Sequence, residues 1–311
     1  MAAATSRRAH LRSWWIAARI HTLPAGIAPV ILGVGLAAAD GMFALYPAVA
    51  ALIGAVLIQI GTNFANDYSD ARRGVDRPDR AGFTRVTASG MLAPSTVRRA
   101  MIIAFAAAIL VGTYLVYVGG LPIVIIGLSS ILFGYLYTGG PSPYGYRGLG
   151  DLFVFVYFGL IAVVGTYYVQ AADTLAEPLT IGVPTGTVTP EAVLGGIAMG
   201  ALTTAILVIN NLRDLEDDRD AGKRTLAVIL GTRWTRIEFT ALLVAAYLVP
   251  VYFVLDGAVA VAAAYLSLPL AALVLRTVLR TREGEAMNRA LASTGRLTLV
   301  YAVLFALGVW W

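Results

Sequence analysis

Two short segments of this chain carry carboxylate and amide side chains at helical spacing. In the first segment these polar positions recur every three or four residues, at Gln59, Asn63, Asn66 and Asp70. In the second they recur every four residues, at Asn210, Asp214 and Asp218. Residues at such intervals lie on one face of an α-helix. Each segment is therefore predicted to present a row of oxygen atoms along one side of a helix.

The chemistry that suits these rows is the binding of a divalent cation. Crowded carboxylates repel one another unless a cation lies between them. Mg²⁺ binds through one or two carboxylates and completes its coordination with water and substrate phosphate oxygens. Two facing acidic segments therefore predict a diphosphate held through bridging Mg²⁺. The alternative, in which each cluster only forms ion pairs at a helix end, fits a single cluster as well but explains two matched clusters less easily.

The predicted roles divide these residues into two sets. The predicted metal ligands are Asn66, Asp70, Asp76, Asp214 and Asp218. The carboxylates assigned to catalysis are Asp67, Asp70, Asp214 and Asp218. Because Asp217 stands beside Asp218, the last assignment is open by one residue.

The composition places both segments in a membrane protein. Of the 311 residues, 59% are hydrophobic and 13% are charged, and the mean hydropathy is +0.77. Without cysteine there is no disulfide or thiolate site, and with only two histidines a metal must be bound by oxygen. The net charge of +5 does not indicate nucleic acid, since the basic residues are confined to positions flanking the membrane.

Apolar runs predict an all-α integral membrane protein with about nine transmembrane helices in a single domain over residues 1–311. The predicted spans are 14–39, 43–66, 97–118, 121–138, 151–172, 192–212, 235–255, 257–279 and 288–310. All 23 Lys and Arg residues fall on one side of this topology. The positive-inside rule therefore predicts a cytoplasmic N-terminus and a site that faces the cytoplasm from the cell membrane.

Basic residues near the acidic segments are predicted to contact a substrate together with polar neighbours. They could neutralise the phosphate oxygens that a metal leaves uncovered. The predicted contacts are Asn63, Asn66, Arg72, Arg77, Asn210, Lys223 and Arg224. For each basic residue, membrane orientation is an equally good explanation of the charge.

The motifs resemble those of the UbiA superfamily of intramembrane aromatic prenyltransferases. The first is Asn66-Asp67 followed by Asp70, Gly74 and Asp76; the second is Asn210, Asp214 and Asp218 followed by the stretch from Gly222 to Ala227. Two further stretches resemble the naphthoate branch of that superfamily, Arg19 to Ala25 and Tyr135 to Asp151. In the second stretch Asp151 stands where the branch is expected to have Glu.

This resemblance implies a bundle around a central cavity in which Mg²⁺, a polyprenyl diphosphate and 1,4-dihydroxy-2-naphthoate meet, within membrane lipid. The implied reaction of menaquinone synthesis joins the prenyl chain to the ring with loss of CO₂ and diphosphate. Tyr135 and Tyr137 could shield a prenyl cation, or else belong to an interfacial belt. His21 could contact a substrate or move a proton, or be structural. Asp67 or Asp151 could act as a base.

Three alternatives remain at this point. The first is an enzyme of the same superfamily that acts on another aromatic acceptor, such as 4-hydroxybenzoate, homogentisate or a chlorophyllide. Only details of the two motifs argue against it. An ion-coupled transporter would also carry intramembrane carboxylates, but it requires a site near the middle of the membrane, whereas these clusters lie at one face. A membrane phosphotransferase acting on CDP-alcohols would require one extended Asp-Gly to Asp motif, which the chain lacks.

Overall fold

A computed structural model describes residues 2–75 and 82–311 of the chain, and every regular element in these ranges is helical. The predicted site residues Asp76 and Arg77 lie outside them. The α-helices are α1 (Ala2–Ala18), α2 (Leu23–Ala39), α3 (Leu45–Arg73), α4 (Pro94–Leu136), α5 (Gly150–Val154), α6 (Ala162–Leu175), α7 (Pro190–Arg213), α8 (Leu215–Asp220), α9 (Leu226–Leu255), α10 (Leu268–Arg280) and α11 (Gly284–Trp310). A π-helical segment, Phe155–Ile161, joins α5 to α6, and a 3₁₀ segment, Val259–Ser267, precedes α10.

Each predicted span corresponds in the described residues to one helix, to part of one, or to consecutive helical segments. Within these residues, eight helical stretches are long and apolar enough to cross a membrane. One of them, α4, has 43 residues, about 65 Å at 1.5 Å per residue, roughly twice the thickness of a bilayer core. It therefore accounts for two predicted spans, 97–118 and 121–138.

The chain reverses within α4 at Gly120. This residue has φ +63°, and a β-carbon there would lie 1.8 Å from the carbonyl oxygen of Thr180, so only glycine fits. The two legs of α4 then pack on the same part of α3. Phe105, before the reversal, lies against Gly61, and Gly134, after it, lies against Thr62.

The first predicted span is not one continuous helix, which corrects our prediction for 14–39. Arg19 adopts the left-handed conformation with φ 50°, and the 3₁₀ turn Ile20–Thr22 follows it before α2 begins. A non-glycine residue in this conformation costs about 1–2 kcal/mol. The break brings Arg19, His21 and Thr22 to the wall of the central cavity.

Helix α7 forms the centre of the bundle, because small residues let its neighbours approach closely. A β-carbon on Gly159 of the π-helical segment would lie 2.3 Å from the α-carbon of Gly200. Small residues at this contact, Gly159, Gly196 and Gly200, therefore allow the close helix packing that is common in membrane proteins. The apolar face of α7, including Met199 and Leu202, is fully buried. Large apolar side chains such as Leu110 and Leu266 are exposed on the outer helices, as expected of a surface that meets lipid.

The polar groups collect at two opposite ends of the bundle. At one end, the Tyr167 hydroxyl donates to Asp40 Oδ2 at 2.5 Å and Gln170 accepts from the Ala44 amide at 2.8 Å. The segment between Leu175 and Pro190 lies at this end and is irregular. The other end contains both acidic segments, which lets them form one site.

Candidate active site

A cavity of about 580 Å³ runs from the acidic end into the apolar bundle. Its polar end is lined by Asn63, Asn66, Asp70, Arg85, Tyr146, Asn210, Asn211, Arg213, Asp218 and Lys223. Its remaining length is lined mainly by Ala, Gly, Val, Ile and Leu side chains from α2, α3, α4 and α6. A cavity of this kind suits a ligand with a charged head and a long apolar tail.

The first acidic segment presents its polar face to this cavity, in the arrangement that its spacing predicts. Gln59, Asn63, Asn66 and Asp70 all lie on α3, are buried, and line the cavity. The Asn63 amide donates to the carbonyl oxygen of Ala18 at 2.9 Å, which ties α3 to the break after α1. The Asn66 amide oxygen accepts a hydrogen bond of 2.9 Å from the Thr138 hydroxyl.

Lys223 joins the two acidic segments. Its Nζ lies 3.5 Å from Asp70 Oδ2 and 3.9 Å from Asp218 Oδ1. Asp70 is only 2% exposed, and it also accepts a hydrogen bond from the Tyr146 hydroxyl and lies 3.8 Å from Arg85 Nη2. Buried carboxylates require such partners. The structure therefore brings together carboxylates that are 148 residues apart in the sequence.

Asp67 has different surroundings from Asp70 although only three residues separate them. It is not among the described residues that line the cavity. Its Oδ2 accepts hydrogen bonds from the Thr87 amide at 3.1 Å and from the Thr87 hydroxyl at 2.6 Å. The geometry thus gives Asp67 a structural contact with the segment that follows α3.

The second acidic segment is divided by the end of α7. Asn210 and Asp218 line the cavity, whereas Asp214 does not. Asp214 has ψ 8° at the junction with α8 and is completely buried, with both carboxylate oxygens bound by Arg213 at 2.7 and 2.8 Å. The same guanidinium donates to Asn210 at 2.8 Å and to Asn288 of α11 at 2.7 Å.

The basic residues that we predicted as substrate contacts differ in their position relative to the cavity. Lys223 lines the cavity, but Arg72 and Arg224 are exposed and are not among the described lining residues. Arg72 donates to the Tyr68 hydroxyl at 3.3 Å, and the Arg224 amide donates to the carbonyl oxygen of Tyr146 at 3.0 Å. The cavity instead receives Arg85 and Arg213.

An aromatic wall lines the middle of the cavity. It contains Phe133, Tyr137, Tyr144, Phe153 and Tyr157. Tyr144 stacks on Phe153 with ring centroids 4.2 Å apart, and burial, followed by the neighbouring Tyr157, raises the pKa of the Tyr144 hydroxyl, so this phenol stays neutral. Tyr137 is thus placed where we predicted, whereas Tyr135 packs among Ala17, Phe64 and their neighbours, outside the described lining.

His21 lies in the cavity wall beside Phe83. The two rings are tilted by 31° with centroids 3.9 Å apart, and the Arg213 guanidinium carbon lies 5.5 Å from the Phe83 centroid. The two rings therefore form a closely packed aromatic pair, with the positive charge of Arg213 over the Phe83 ring. Asp151, the other group considered as a base, is buried, and its Oδ2 has no hydrogen-bond partner among the described residues.

Several residues of this site were not predicted. Tyr146, Arg85 and Arg213 reach the cavity from loops or from a helix end, where hydrophobic periodicity carries no signal. For Tyr146 a signal existed, because it lies inside the stretch Tyr135 to Asp151 that carried the resemblance. The only signal for Arg213 was its position between Asn210 and Asp214.

Comparisons with known proteins agree with this geometry. Residues 27–300 match the UbiA prenyltransferase family. The chain is 37% identical over 298 residues to the 1,4-dihydroxy-2-naphthoate octaprenyltransferase of Mycobacterium leprae, with 96% of each chain covered.

Solved structures share the fold at low sequence identity. An apo UbiA homolog from Aeropyrum pernix K1 has a TM-score of 0.70 and 17% identity, covering 89% of this chain and 94% of that one. A UbiA homolog from Archaeoglobus fulgidus bound to GPP and Mg²⁺ has a TM-score of 0.59 and 14% identity, covering 96% and 99%. This protein is a member of the UbiA prenyltransferase family.

Proposed function

We propose that this enzyme transfers a polyprenyl chain from polyprenyl diphosphate to 1,4-dihydroxy-2-naphthoate, with loss of CO₂ and diphosphate, and so forms demethylmenaquinol for menaquinone synthesis. The observation that carries the proposal is the cavity, which is charged at one end and apolar along its length. The head of the donor is ionic and its tail is insoluble in water, so the two parts need these two environments. The similarity to a relative named for this reaction supports the choice of acceptor.

The residues at the polar end fit Mg²⁺. Asp70 and Asp218 face one cavity, and the Asn66 amide oxygen lies beside them. Among the described residues, no cluster of three or more His, Cys, Asp or Glu side chains is present. This agrees with a cation that takes one or two carboxylates and completes its coordination with phosphate oxygens. Bound there, Mg²⁺ supplies positive charge that stabilises the departing diphosphate.

The protein's own groups add to that stabilisation. Lys223 and Arg85 carry positive charge at the polar end, and the Tyr146 hydroxyl is a hydrogen-bond donor there. Such donors contribute most when they are fixed before charge develops on the leaving group. Asp214 acts indirectly, by holding Arg213 in place beside the cavity.

The aromatic wall faces the place where the allylic carbon loses its bond to oxygen. Ring faces attract cations, so Tyr137, Tyr144 and Phe153 stabilise the cation-like carbon. They also exclude water, which would otherwise capture it.

The acceptor fits against the aromatic pair of His21 and Phe83. Its naphthalene ring packs beside these rings, and its carboxylate lies towards the positive charge of Arg213. In the reaction the allylic C–O bond breaks, a C–C bond forms at the ring carbon that carries the carboxylate, and CO₂ leaves from that carbon. The diphosphate takes the electron pair of the broken bond, so no net proton is released. The chemistry therefore needs no permanent proton acceptor at Asp67 or Asp151.

We place the site at the cytoplasmic face of the cell membrane, with the N-terminus in the cytoplasm and residues 1–311 acting as one catalytic domain. The support is the collection of Lys and Arg at the end of the bundle that contains both acidic segments. The opposite turns, such as the one at Asp40 and Gly41, contain no basic residue.

The test is prenyl transfer by purified protein in detergent, with 1,4-dihydroxy-2-naphthoate, a long polyprenyl diphosphate, and either Mg²⁺ or EDTA. Demethylmenaquinol should form with Mg²⁺, should not form with EDTA, and should be lost in Asp70→Ala. Turnover of 4-hydroxybenzoate in place of the naphthoate would refute the assigned acceptor. Inactivity of folded protein with every aromatic acceptor would refute the proposal as a whole.

A further inference from the structure

Three glycines in the apolar part of the cavity face open space. They are Gly54 on α3, Gly112 on the first leg of α4 and Gly127 on the second leg. No described atom lies within 4 Å of a β-carbon built at any of them, outside the helix's own backbone and the adjoining residues. This contrasts with Gly61 and Gly134, where a β-carbon would lie 2.6 Å from the Phe105 ring and 2.5 Å from the Thr62 hydroxyl oxygen.

The three open glycines lie at one level of the bundle. Gly61, Phe105 and Gly134 mark a level at which α3 contacts both legs of α4. Each open glycine lies seven residues from one of these positions, on the side away from the acidic segments. Seven residues advance a helix by about 10 Å and rotate it by only about 20°. The same faces of α3 and of the two legs of α4 therefore face each other at both levels. They are in contact at the level of Gly61 and Gly134, and they are apart at the level of the open glycines.

The distance from this level to the acidic end can be expressed in prenyl units. Gly54 and Asp70 lie on the same helix, 16 residues apart, which is about 24 Å at 1.5 Å per residue. An isoprene unit contributes four carbon–carbon bonds of about 1.5 Å to an extended chain. A tail therefore needs at least about four units to reach the glycines. Shorter tails end before them.

We propose that Gly54, Gly112 and Gly127 form a gap between α3 and the two legs of α4 that admits the distal part of a long prenyl tail and thereby sets the tail length that the enzyme accepts. The inference rests on the proposed function and concerns the donor. A side chain in the gap blocks tails that pass this level and leaves shorter tails untouched. The three residues determine specificity and take no part in the chemistry.

The experiment compares two donors with the same acceptor. Geranyl diphosphate has two isoprene units and ends before the gap, whereas octaprenyl diphosphate has eight and passes it. In Gly127→Phe and Gly54→Phe we expect kcat/KM for the octaprenyl donor to fall about 100-fold, within the range for a steric change in an apolar pocket. For the geranyl donor it should change by less than about 3-fold.

Matched variants separate blockage from damage to the fold. Gly127→Ala adds one methyl group in open space and should retain turnover of both donors. Leu110→Phe adds bulk to a 73% exposed position on the first leg of α4 and should leave both unchanged. If a Phe variant does not fold in detergent, Gly112→Leu provides the same comparison with a smaller side chain.

The outcomes are distinguishable from those of the proposed function. Loss of octaprenyl transfer with retained geranyl transfer supports the gap. Equal loss of both donors in folded variants, or no change for either, overturns it while the proposed reaction stands. If the unaltered protein transfers neither donor to any aromatic acceptor, the proposed function fails and the inference about its donor fails with it.

Discussion

At the scale of single residues, Lys223 is the group that connects the acidic segments. Lys223→Met removes a charge beside Asp70 and Asp218. A charge-assisted hydrogen bond is worth about 1.5–3 kcal/mol, so we expect kcat/KM for the donor to fall by about 10–150-fold. The neighbouring Arg224 is exposed, and among the described residues it forms a hydrogen bond only through its backbone amide. Arg224→Met should therefore change donor kinetics by less than about 2-fold, and equal effects of both changes would contradict this assignment.

Asp67 and Asp70 provide a second prediction at this scale, since they differ in surroundings and not in type. Asp70→Asn should reduce Mg²⁺-dependent turnover by at least about 100-fold in molecules that remain folded, as for the loss of a main electrostatic group. Asp67→Asn should leave the Thr87 contacts weakened, at a cost of about 1–3 kcal/mol, while folded molecules stay active. Activity and thermal unfolding are measured on the same samples. Loss of activity in folded Asp67→Asn, with activity retained in Asp70→Asn, would instead assign the catalytic role to Asp67.

These residues also show which parts of the site could be predicted from the sequence. The α3 row could be predicted, because Asn63, Asn66 and Asp70 lie on one continuous helix, where spacing determines direction. Asp214 could not, because α7 ends one residue before it and the backbone turns. The contact between Tyr146 and Asp70 crosses 76 residues, and no local pattern reports such a contact.

At the scale of secondary-structure elements, the same distinction applies to helix boundaries. Runs of apolar residues predicted where the helices lie, including separate spans, 97–118 and 121–138, on the two sides of the reversal in α4. The break at Arg19 could not be predicted, because arginine gives no local signal for a left-handed backbone. Its conformation follows from tertiary contacts, including the bond from Asn63 to the carbonyl oxygen of Ala18.

The reversal in α4 makes a direct prediction. Gly120→Ala places a β-carbon 1.8 Å from the Thr180 carbonyl oxygen at a residue with φ +63°, so the two legs cannot keep their present packing. We expect little folded protein, as measured by size-exclusion chromatography in detergent. Gly182→Ala lies near the same end of the bundle, with no described atom within 4 Å of its added methyl carbon. This control should fold normally, and normal folding of Gly120→Ala would show that the turn tolerates a side chain.

The junction of α7, α8 and α11 depends on Arg213. Arg213→Met removes the two hydrogen bonds that the fully buried Asp214 carboxylate accepts from Arg213, and breaking a buried pair costs about 3–5 kcal/mol. Arg213→Met combined with Asp214→Asn should unfold at a higher temperature than Arg213→Met alone, because no charge is then stranded. The unfolding temperatures of the unaltered protein, the two single variants and the double variant form a double-mutant cycle. A double variant that is less stable than either single variant would argue against this account.

At the scale of the whole molecule, the arrangement of charge makes a prediction about orientation. All 23 Lys and Arg residues belong to one side of the predicted topology, and the site lies at the end of the bundle that carries them. If this end faces the cytoplasm, polyprenyl diphosphate binds with its charged head at the cytoplasmic surface and its tail at the level of the bilayer core. The segment from 176 to 189 then lies on the outer side.

The absence of cysteine from the sequence allows this orientation to be measured directly. Ser142→Cys introduces a thiol into the exposed loop at the acidic end, and Gly182→Cys introduces one into the exposed loop at the opposite end. A membrane-impermeant maleimide added to intact cells should label Gly182→Cys and leave Ser142→Cys unlabelled, since charged reagents do not cross the bilayer. After permeabilisation both should react, which controls for accessibility of the thiols. Labelling of Ser142→Cys in intact cells would show that the molecule has the opposite orientation, with the diphosphate site outside the cell. The positive-inside rule would then have failed for this chain.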